Sequence, residues 1–488
     1  MSRNLNNLHA LPEQPAVAEL VAAGELDSAE ELNTYPPASA PMPVARRLLT
    51  EVFAKGGHYT LTFWRQRWWQ YTGTHYREVD ELTVERPMWK RLEEVTVVDA
   101  NGNHKAWTPT KVKVASVLHP MKLETLMSTE MEAPMWRDNP HKGVHLVPMN
   151  NGLLDLNSRQ LQAHTPNYFT TWALGFDYQE QAQCPRWEKF VGEVFEHDPN
   201  AALLLQEYMG YLVSGRTNMH KALMIVGVGR AGKGTIQRVL TALMGQANVA
   251  APSLNSLNED FGAESLIGKP LAILADARDG SSRFGGNRAV ERILNIVGED
   301  TLSINRKGEK YWVGRLPTRI VLMSNENPRF TDASGAIANR FVGFRLVRSF
   351  EGVEDRHLDS KLKAELPGIF LWCLEGLERL RRQGRFTVPE TQAELLTDIK
   401  AAAAPVTTFV SDTFEVTGQR EDWLPLTDVF ARYRTWCDAN GHHPTTSTEL
   451  GNRIKAANIP GVTLAHTLPP GALKKNRYVM GVKLNSFF

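Results

Sequence analysis

The spacing of hydrophobic residues changes along this chain, and each change marks a new part. The stretch YTLTFWRQRWWQYTGTHYRE (59–78) sets aromatic segments around polar turns, which predicts a small β-meander. At strand spacing, Phe63, Trp64, Trp68, Trp69 and Tyr71 are expected in a core rather than as a base-stacking surface. NNGLLDLNSRQLQAHTP (150–166) predicts a further hairpin. After Cys184 the period lengthens to that of helices: Trp187, Phe190 and Val194 share one face, and Leu203 through Leu212 form a second apolar segment. From 223 to about 346 apolar strands alternate with helices, the rhythm of a parallel sheet. Two helices follow at about 355–383, broken near Pro367. A last unit begins after AAAAPV. There Val429, Phe430, Tyr433 and Trp436 fall at helical spacing, and Thr446 and Glu449 stand in capping-box register. GVTLAHTL and RYVMGVKL then flank PPGALKKN, which completes the helix-helix-hairpin order of a winged helix.

Composition narrows this picture only a little. The 488 residues are enough for about three domains, and 42% hydrophobic with 22% charged residues describes an ordinary folded protein. A net charge of +1 means that any nucleic-acid surface must be local. Cys184, Cys373 and Cys437 form no CxxC pair, so no zinc module is expected and a reducing, cytoplasmic compartment fits. No apolar run approaches the length of a membrane span, and the first residues do not read as a secretion signal. Residues 1–41 carry six acids against the single base Arg3 and lead into YPPASAPMP, which predicts an acidic tail and linker.

The sharpest local signal is GVGRAGKGT (227–235). The apolar run KALMIV before it and the helix-forming TIQRVLTALMG after it give the strand-loop-helix context that a phosphate loop requires. Gly227, Gly229, Gly232 and Gly234 let backbone N–H groups turn toward phosphates, and Lys233 is placed to reach the β- and γ-phosphates. The usual hydroxyl directly after the lysine is replaced by Gly234. Thr235 therefore comes one place late and faces the α-phosphate side. LAILADAR is a buried strand that ends in Asp276, the position where open α/β sheets bind ligands. Asp276 and Thr235 are the candidate protein ligands of Mg²⁺ beside ATP. The acid that would orient the attacking water is left open among Asp279, Glu264 and Glu291.

Downstream, TRIVLMSNENP is another apolar strand ending in Asn325, and Arg340 follows in SGAIANRFVGF. An amide at a strand tip can position water or sense a γ-phosphate, and an arginine beyond it can neutralise transition-state charge across a subunit boundary. A small-molecule kinase with a similar loop would need an acceptor pocket and a lid, for which there is no sequence signal. The segments GVGRAGKGTIQRVL, ILADAR, ERILNIVGEDTLSINRKGEKYWVGRLPTRIVLMSNENP and DASGAIANRF, in this order, resemble superfamily 3 helicases of the AAA+ class. More narrowly they resemble the phage and plasmid primase-helicase family related to the poxvirus helicase-primase. The likeness extends through NNGLLDL and CPRWEKF and covers roughly residues 145–390. It implies a homo-hexameric ring translocating 3′ to 5′ on single-stranded DNA, with Lys233 and Thr235 in the loop, Asp276 at the metal, Asn325 as sensor and Arg340 as arginine finger.

Two regions are candidates for holding DNA. Residues 301–319 carry five basic residues and one acid, with Gly308 turning between LSIN and YWV; Arg306, Lys307 and Lys310 fall at or near the tip of that hairpin. The resemblance implies that such hairpins point into the ring channel. Residues 471–488 hold Lys474, Lys475, Arg477 and Lys483 with no acid, and this wing suits either DNA or a protein partner. The predicted organisation is multidomain α/β: an acidic tail and linker (1–43), a small α+β N-terminal domain (44–185), a helical collar (186–222), a P-loop core with parallel sheet and trailing helices (223–395), and a winged helix (402–488). The function expected is an ATP-driven helicase replicating a phage, prophage or mobile element in a bacterial host cell, acting on single strands and on forked or origin duplex with a separate primase or initiator. The alternative is an origin-binding ring that melts or marks an origin without processive unwinding. Primase activity is not expected, because no apolar strand bearing an Asp-x-Asp pair precedes the family region.

Overall fold

The computed structural model describes residues 33–139, 142, 145–275, 288–327, 336–353, 355–403, 405–440 and 444–485. Most of the expected acidic tail lies outside these residues, and so does Asp276. In the N-terminal part, helix α1 (Pro41–Val52) starts on a proline and buries Val44, Ala45, Leu48 and Leu49 along one stripe. The meander predicted from the aromatic stretch is present as β1 (Leu61–Trp64), β2 (Arg67–Tyr71) and β3 (Tyr76–Val79), paired antiparallel. Helices α2 (Glu81–Glu93) and α3 (Lys111–Glu124) follow, and the side chains of Asp80 and Thr110 cap their N-termini. Leu61 and Trp68 join Val44, Leu48, Met88, Val114 and Met121 in one core, while Trp64 and Tyr71 are buried in a second beneath the meander.

Strands β4 (Leu146–Met149) and β5 (Gly152–Asp155) pair antiparallel, and β5 with the short strand Leu161–Gln162 forms the hairpin predicted within 150–166. Their apolar residues Val147, Met149 and Leu154 share a core with helices α4 (Pro185–Val194) and α5 (Pro199–Val213). In these helices Trp187, Phe190 and Val194 are buried, as their spacing predicts.

Five strands then build a parallel sheet. In chain order they are β6 (Ala222–Gly227), followed by helix α6 (Lys233–Met244), β7 (Val249–Ala250), β8 (Leu271–Ala275), helix α7 (Arg288–Val297), an antiparallel hairpin β9 (Leu302–Ile304) and β10 (Trp312–Gly314), then β11 (Arg319–Ser324) and β12 (Phe341–Leu346). The sheet order is β7-β8-β11-β6-β12, with every pair parallel. Alternate residues of the strands serve opposite faces. Leu223, Ile225, Ile273 and Val321 pack with α4, α5 and α6, whereas Met224, Val226, Leu274 and Leu322 pack with α7. Both faces are buried, which is why these strands read as continuous apolar runs.

Helix α8 (Leu358–Ala364) and the long α9 (Leu366–Gln383) cover the first face. The pair α5 and α9 is pinned by a buried carboxylate: Glu207 accepts from Arg379 Nε at 2.7 Å, Thr387 N at 2.7 Å and Thr387 Oγ1 at 2.6 Å. Helix α10 (Gln392–Ala403) leads to the C-terminal unit, made of α11 (Pro405–Thr413), β13 (Phe414–Val416), β14 (Trp423–Pro425), α12 (Leu426–Asn440), α13 (Ser447–Ala456), β15 (Thr463–Thr467), β16 (Asn476–Met480) and β17 (Val482–Leu484). There β14, β16 and β15 form an antiparallel sheet, and β13 pairs with β17. Thr446 caps α13 by accepting from Glu449 N.

Candidate functional site

The phosphate-type loop lies between β6 and α6. Strand β6 ends at Gly227. The chain turns through positive φ at Arg230 (58°) and Gly232 (98°), and α6 starts at Lys233. Gly232 is in the left-handed region, and a side chain there would press on Val194 at 3.2 Å and Phe190 at 3.3 Å. No side chain caps this helix, so its first-turn N–H groups and their partial positive charge face outward for an anion. Lys233 Nζ folds back over the loop and donates to Gly227 O at 2.6 Å and Val228 O at 2.7 Å. The segment after β12 clasps the loop from behind, through Phe350 N to Arg230 O at 3.0 Å and Ser349 Oγ to Gly229 O at 3.1 Å.

The glycine in place of the usual hydroxyl has a structural counterpart that the sequence did not announce. A Cβ at Gly234 would stand 3.2 Å from Arg238 Nη1. Arg238 uses that space to donate to Thr235 Oγ1 at 3.2 Å while pairing with Asp359 at 2.5 Å. Beside Gly232, Gly234 and Thr235 opens a cavity of about 690 Å³. Phe190, Phe350, Val353 and Leu358 give it apolar walls, and its polar side mixes Arg186, Lys189 and Arg356 with Glu193, Asp355 and Asp359. This is the size range of a small-molecule site, and the partial positive charge of the helix N-terminus at one end suits a phosphorylated ligand.

Strand order decides what stands next to the loop. Because β11 is inserted between β6 and β8, Ser324 is in register with Val226, and exposed Asn325 follows at the level of Gly227. On the far side of β11, β8 ends at Ala275, paired with Met323. The next residue, Asp276, is outside the described residues. Just past Asn325, Asn327 belongs to a small polar network: Arg345 Nη2 donates to Asn327 Oδ1 at 2.8 Å and to Asp398 Oδ2 at 2.6 Å, and Asn327 Nδ2 donates to Asp398 Oδ2 at 2.8 Å. This network fixes the backbone that follows the strand tip.

Arg340 stands elsewhere. It immediately precedes β12, and its carbonyl accepts from Ala222 N at the start of β6, at 2.8 Å. Since Ala222 pairs with Phe341 and Gly227 with Leu346, the whole length of the sheet separates Arg340 from the loop of its own chain, roughly 20 Å at 3.3 Å per residue. Beside it the Lys221 ammonium is held below its ordinary range, first by burial and then by the Arg340 charge. Of the other acids considered, Glu264 is engaged by the turn region of the β9–β10 hairpin, 3.7 Å from Arg306, and Glu291 is exposed on α7. Asp279 is outside the described residues.

The predicted basic hairpin exists, with Ile304 opposite Trp312 and Gly308 at φ 74° in the turn. The five basic residues of 301–319 divide by environment. Arg319 is buried and donates to Leu212 O at 2.8 Å, at the C-terminal end of α5; burial lowers its pKa to about 10. Arg306 is tucked in, pairing with Glu309 at 2.9 Å and with Glu264. Lys307, Lys310 and Arg315 are exposed, as is Tyr311 beside them. In the C-terminal unit the turn between β15 and β16 is tied down by Trp423 Nε1 to Pro470 O at 3.0 Å and Tyr478 OH to Lys474 O at 2.7 Å. That leaves Leu473, Lys474, Lys475 and Arg477 projecting into solvent.

Three separate portions of the chain match families. Residues 64–196 match the family described as D5 N terminal like. Residues 225–340, which carry the loop, Asn325 and Arg340, match a family of unknown function, DUF5906. Residues 403–468 match Poxvirus D5 protein-like sequences. Among solved structures, the A form apo structure of NrS-1 C terminal region-CTR is similar in fold, at a TM-score of 0.50 and 12% identity, with 90% of this chain and 99% of that chain covered. Two further apo structures of the NrS-1 C terminal region give TM-scores of 0.49 and 0.48, at 10% and 12% identity, covering 90% and 91% of this chain and 99% of each of theirs.

Proposed function

Since this chain belongs to the phage and viral primase-helicase family, with a mixed α/β fold built on a parallel sheet, we propose that it is the ATP-driven helicase of a phage or mobile-element replication system. One observation carries this reading: the loop with Lys233 and the arginine Arg340 lie at opposite ends of the adjacent parallel strands β6 and β12. A single chain therefore cannot close both on one phosphate. A ring of identical chains could, if the Arg340 end of one subunit faces the loop end of the next. We take the ring to be a hexamer of the AAA+ type, working in the cytoplasm of a bacterial host. Among the described residues no helix is long and apolar enough to cross a membrane.

The residues around the loop fit a nucleoside triphosphate. The uncapped start of α6 and Lys233, whose ammonium rests on two carbonyls, would hold phosphates, and the cavity beside Phe190 and Phe350 has room for the nucleoside. Thr235 and Asp276 would hold Mg²⁺, which on binding supplies charge neutralisation at the phosphates. Asn325 would orient water from the neighbouring strand tip, held in place by Arg345, Asn327 and Asp398. Arg340 of an adjacent subunit would counter the charge that develops on phosphoryl transfer. A kinase reading gives Arg340 nothing to do, and the exposed Lys307 and Lys310 favour a polyanion as the second ligand.

The test is to neutralise the hairpin. Lys307→Ala with Lys310→Ala should keep ATP binding and basal hydrolysis, since both residues are remote in sequence from the loop. Stimulation by single-stranded DNA and unwinding of a forked duplex should be lost. Unwinding at the wild-type rate by this double variant would favour the alternative in which the C-terminal unit, with its tethered cationic turn, marks or melts an origin.

A further inference from the structure

The contact between the N-terminal meander and the β9–β10 hairpin is built around an anion. Glu309, next to the turn glycine Gly308, is paired with Arg67 of β2 and with Arg306 at 2.9 Å. The competing acids are more distant or otherwise engaged: Glu78 is 3.5 Å from Arg67, Glu264 is 3.7 Å from Arg306, and Glu132 pairs with Arg65 at 2.6 Å. Around this carboxylate the surfaces alternate arginine and tryptophan. Arg65 lies over Trp64 at 4.4 Å and over Trp312 of β10 at 5.1 Å, and Arg315 and Trp69 line the same cleft. Arg65 is nine-tenths buried, and its Nε has no hydrogen-bond partner.

Local geometry is specialised for this meeting. The turn between β1 and β2 consists of Arg65 and Gln66, both with positive φ (49° and 63°), where a two-residue hairpin normally uses asparagine and glycine. Such an outlier persists only where its surroundings hold it, and here it aims Arg65 at the hairpin. On the other side Gly314 accepts the approach, since a Cβ there would lie 2.8 Å from Arg65 Nη1.

A carboxylate and a phosphodiester offer guanidinium the same kind of partner, a pair of anionic oxygens. We infer that Arg67 and Arg306 form a phosphodiester site for the single strand, closed in the DNA-free molecule by the hairpin's own Glu309 carboxylate. This rests on the β9–β10 hairpin being the strand-gripping element, and it adds the N-terminal meander to the DNA path. Entry of a phosphate displaces Glu309 from Arg67, which frees the turn at Gly308, and with it the exposed Lys307 and Lys310, from its ion-pair tie to the N-terminal domain. Trp312 and Trp69 line the same cleft and give an adjacent base apolar surface to meet.

The experiment measures binding of a fluorescent oligothymidylate to the full chain across a salt series. Arg67→Gln should lower the slope of log affinity against log salt by about 0.7, the loss of one phosphate contact on a single strand. Arg67→Lys, which keeps a charge at that point, should restore most of the slope, which a purely structural role would not produce. Glu309→Gln should tighten binding by roughly threefold or more, since a closed state that competes with DNA is removed. The tightening should shrink in the Arg67→Gln background. An unchanged slope for Arg67→Gln, or weaker binding by Glu309→Gln, overturns the site. If Lys307→Ala with Lys310→Ala has no effect while Arg67→Gln still lowers the slope, the hairpin reading fails and the Arg67 site stands. The opposite pattern leaves the hairpin in place and removes the site.

Discussion

Arg340 provides the strictest test, because its position makes a prediction that chemistry alone does not. It precedes β12 at the end of the strands opposite the phosphate loop, roughly 20 Å away along them. An arginine side chain spans far less than that, so any effect of Arg340 on hydrolysis passes to a neighbouring subunit. Arg340→Ala should leave nucleotide binding intact and lower turnover by roughly 10³ or more, about 4 kcal/mol of transition-state stabilisation. Lys233→Ala should be equally inactive for a different reason. Mixing the two dead variants separates the cases. In rings assembled at random from equal amounts, about a quarter of interfaces join an intact loop to an intact arginine, so ATPase should recover to about a quarter of wild type if interfaces act independently. Were the arginine to act within its own chain, no subunit would carry both groups and no ratio would restore activity. Subunit exchange is verified with two affinity tags before the rates are compared. Verified mixed rings that remain inactive at every ratio refute the reasoning.

Other outcomes follow from the same geometry. Lys233→Ala removes the only side-chain cation resting on the loop carbonyls Gly227 and Val228 among the described contacts, so steady-state ATPase of contaminant-free protein should vanish. Glu207→Ala strands Arg379 and two Thr387 donors between α5 and α9, and chemical denaturation should show a loss of about 3 kcal/mol, as for other broken buried pairs. Lys474→Ala with Lys475→Ala removes exposed cations from the tethered turn of the C-terminal unit. Binding to forked duplex should weaken and its log–log salt slope fall by about 1.8 for two contacts, while single-strand-stimulated ATPase holds. A slope unchanged by that pair assigns the turn to a protein partner instead.

What could be read from the sequence, and what could not, follows the range of each interaction. The loop, the strand ending in Asn325 and the β9–β10 hairpin are local signals: glycine spacing, an apolar run closed by a polar residue, a turn between two strands. Each is present. The side chains that complete these sites come from elsewhere. Arg238 takes the space at Gly234 only because α8 brings Asp359 to meet it, and the cavity walls Phe190 and Phe350 belong to segments on either side of the core. Periodicity showed that Phe190 is on a buried face, though not that the face looks onto a ligand-sized cavity. Charge counting failed for a related reason. The five bases of 301–319 read as one patch, yet Arg319 supports the end of α5 and Arg306 is held by two glutamates. Of the five aromatics of the meander expected in a core, Trp64, Trp68 and Tyr71 are buried, and Phe63 and Trp69 are half-buried. The arginines at the meander's first turn were the informative ones, because Arg65 in the turn and Arg67 at the start of β2 acquire meaning only against a hairpin far along the chain. The acid within that hairpin, Glu309, reduces the patch's net charge in a composition count. In the folded chain it marks the place between two guanidinium groups where an anion already sits, and so where a phosphate would go.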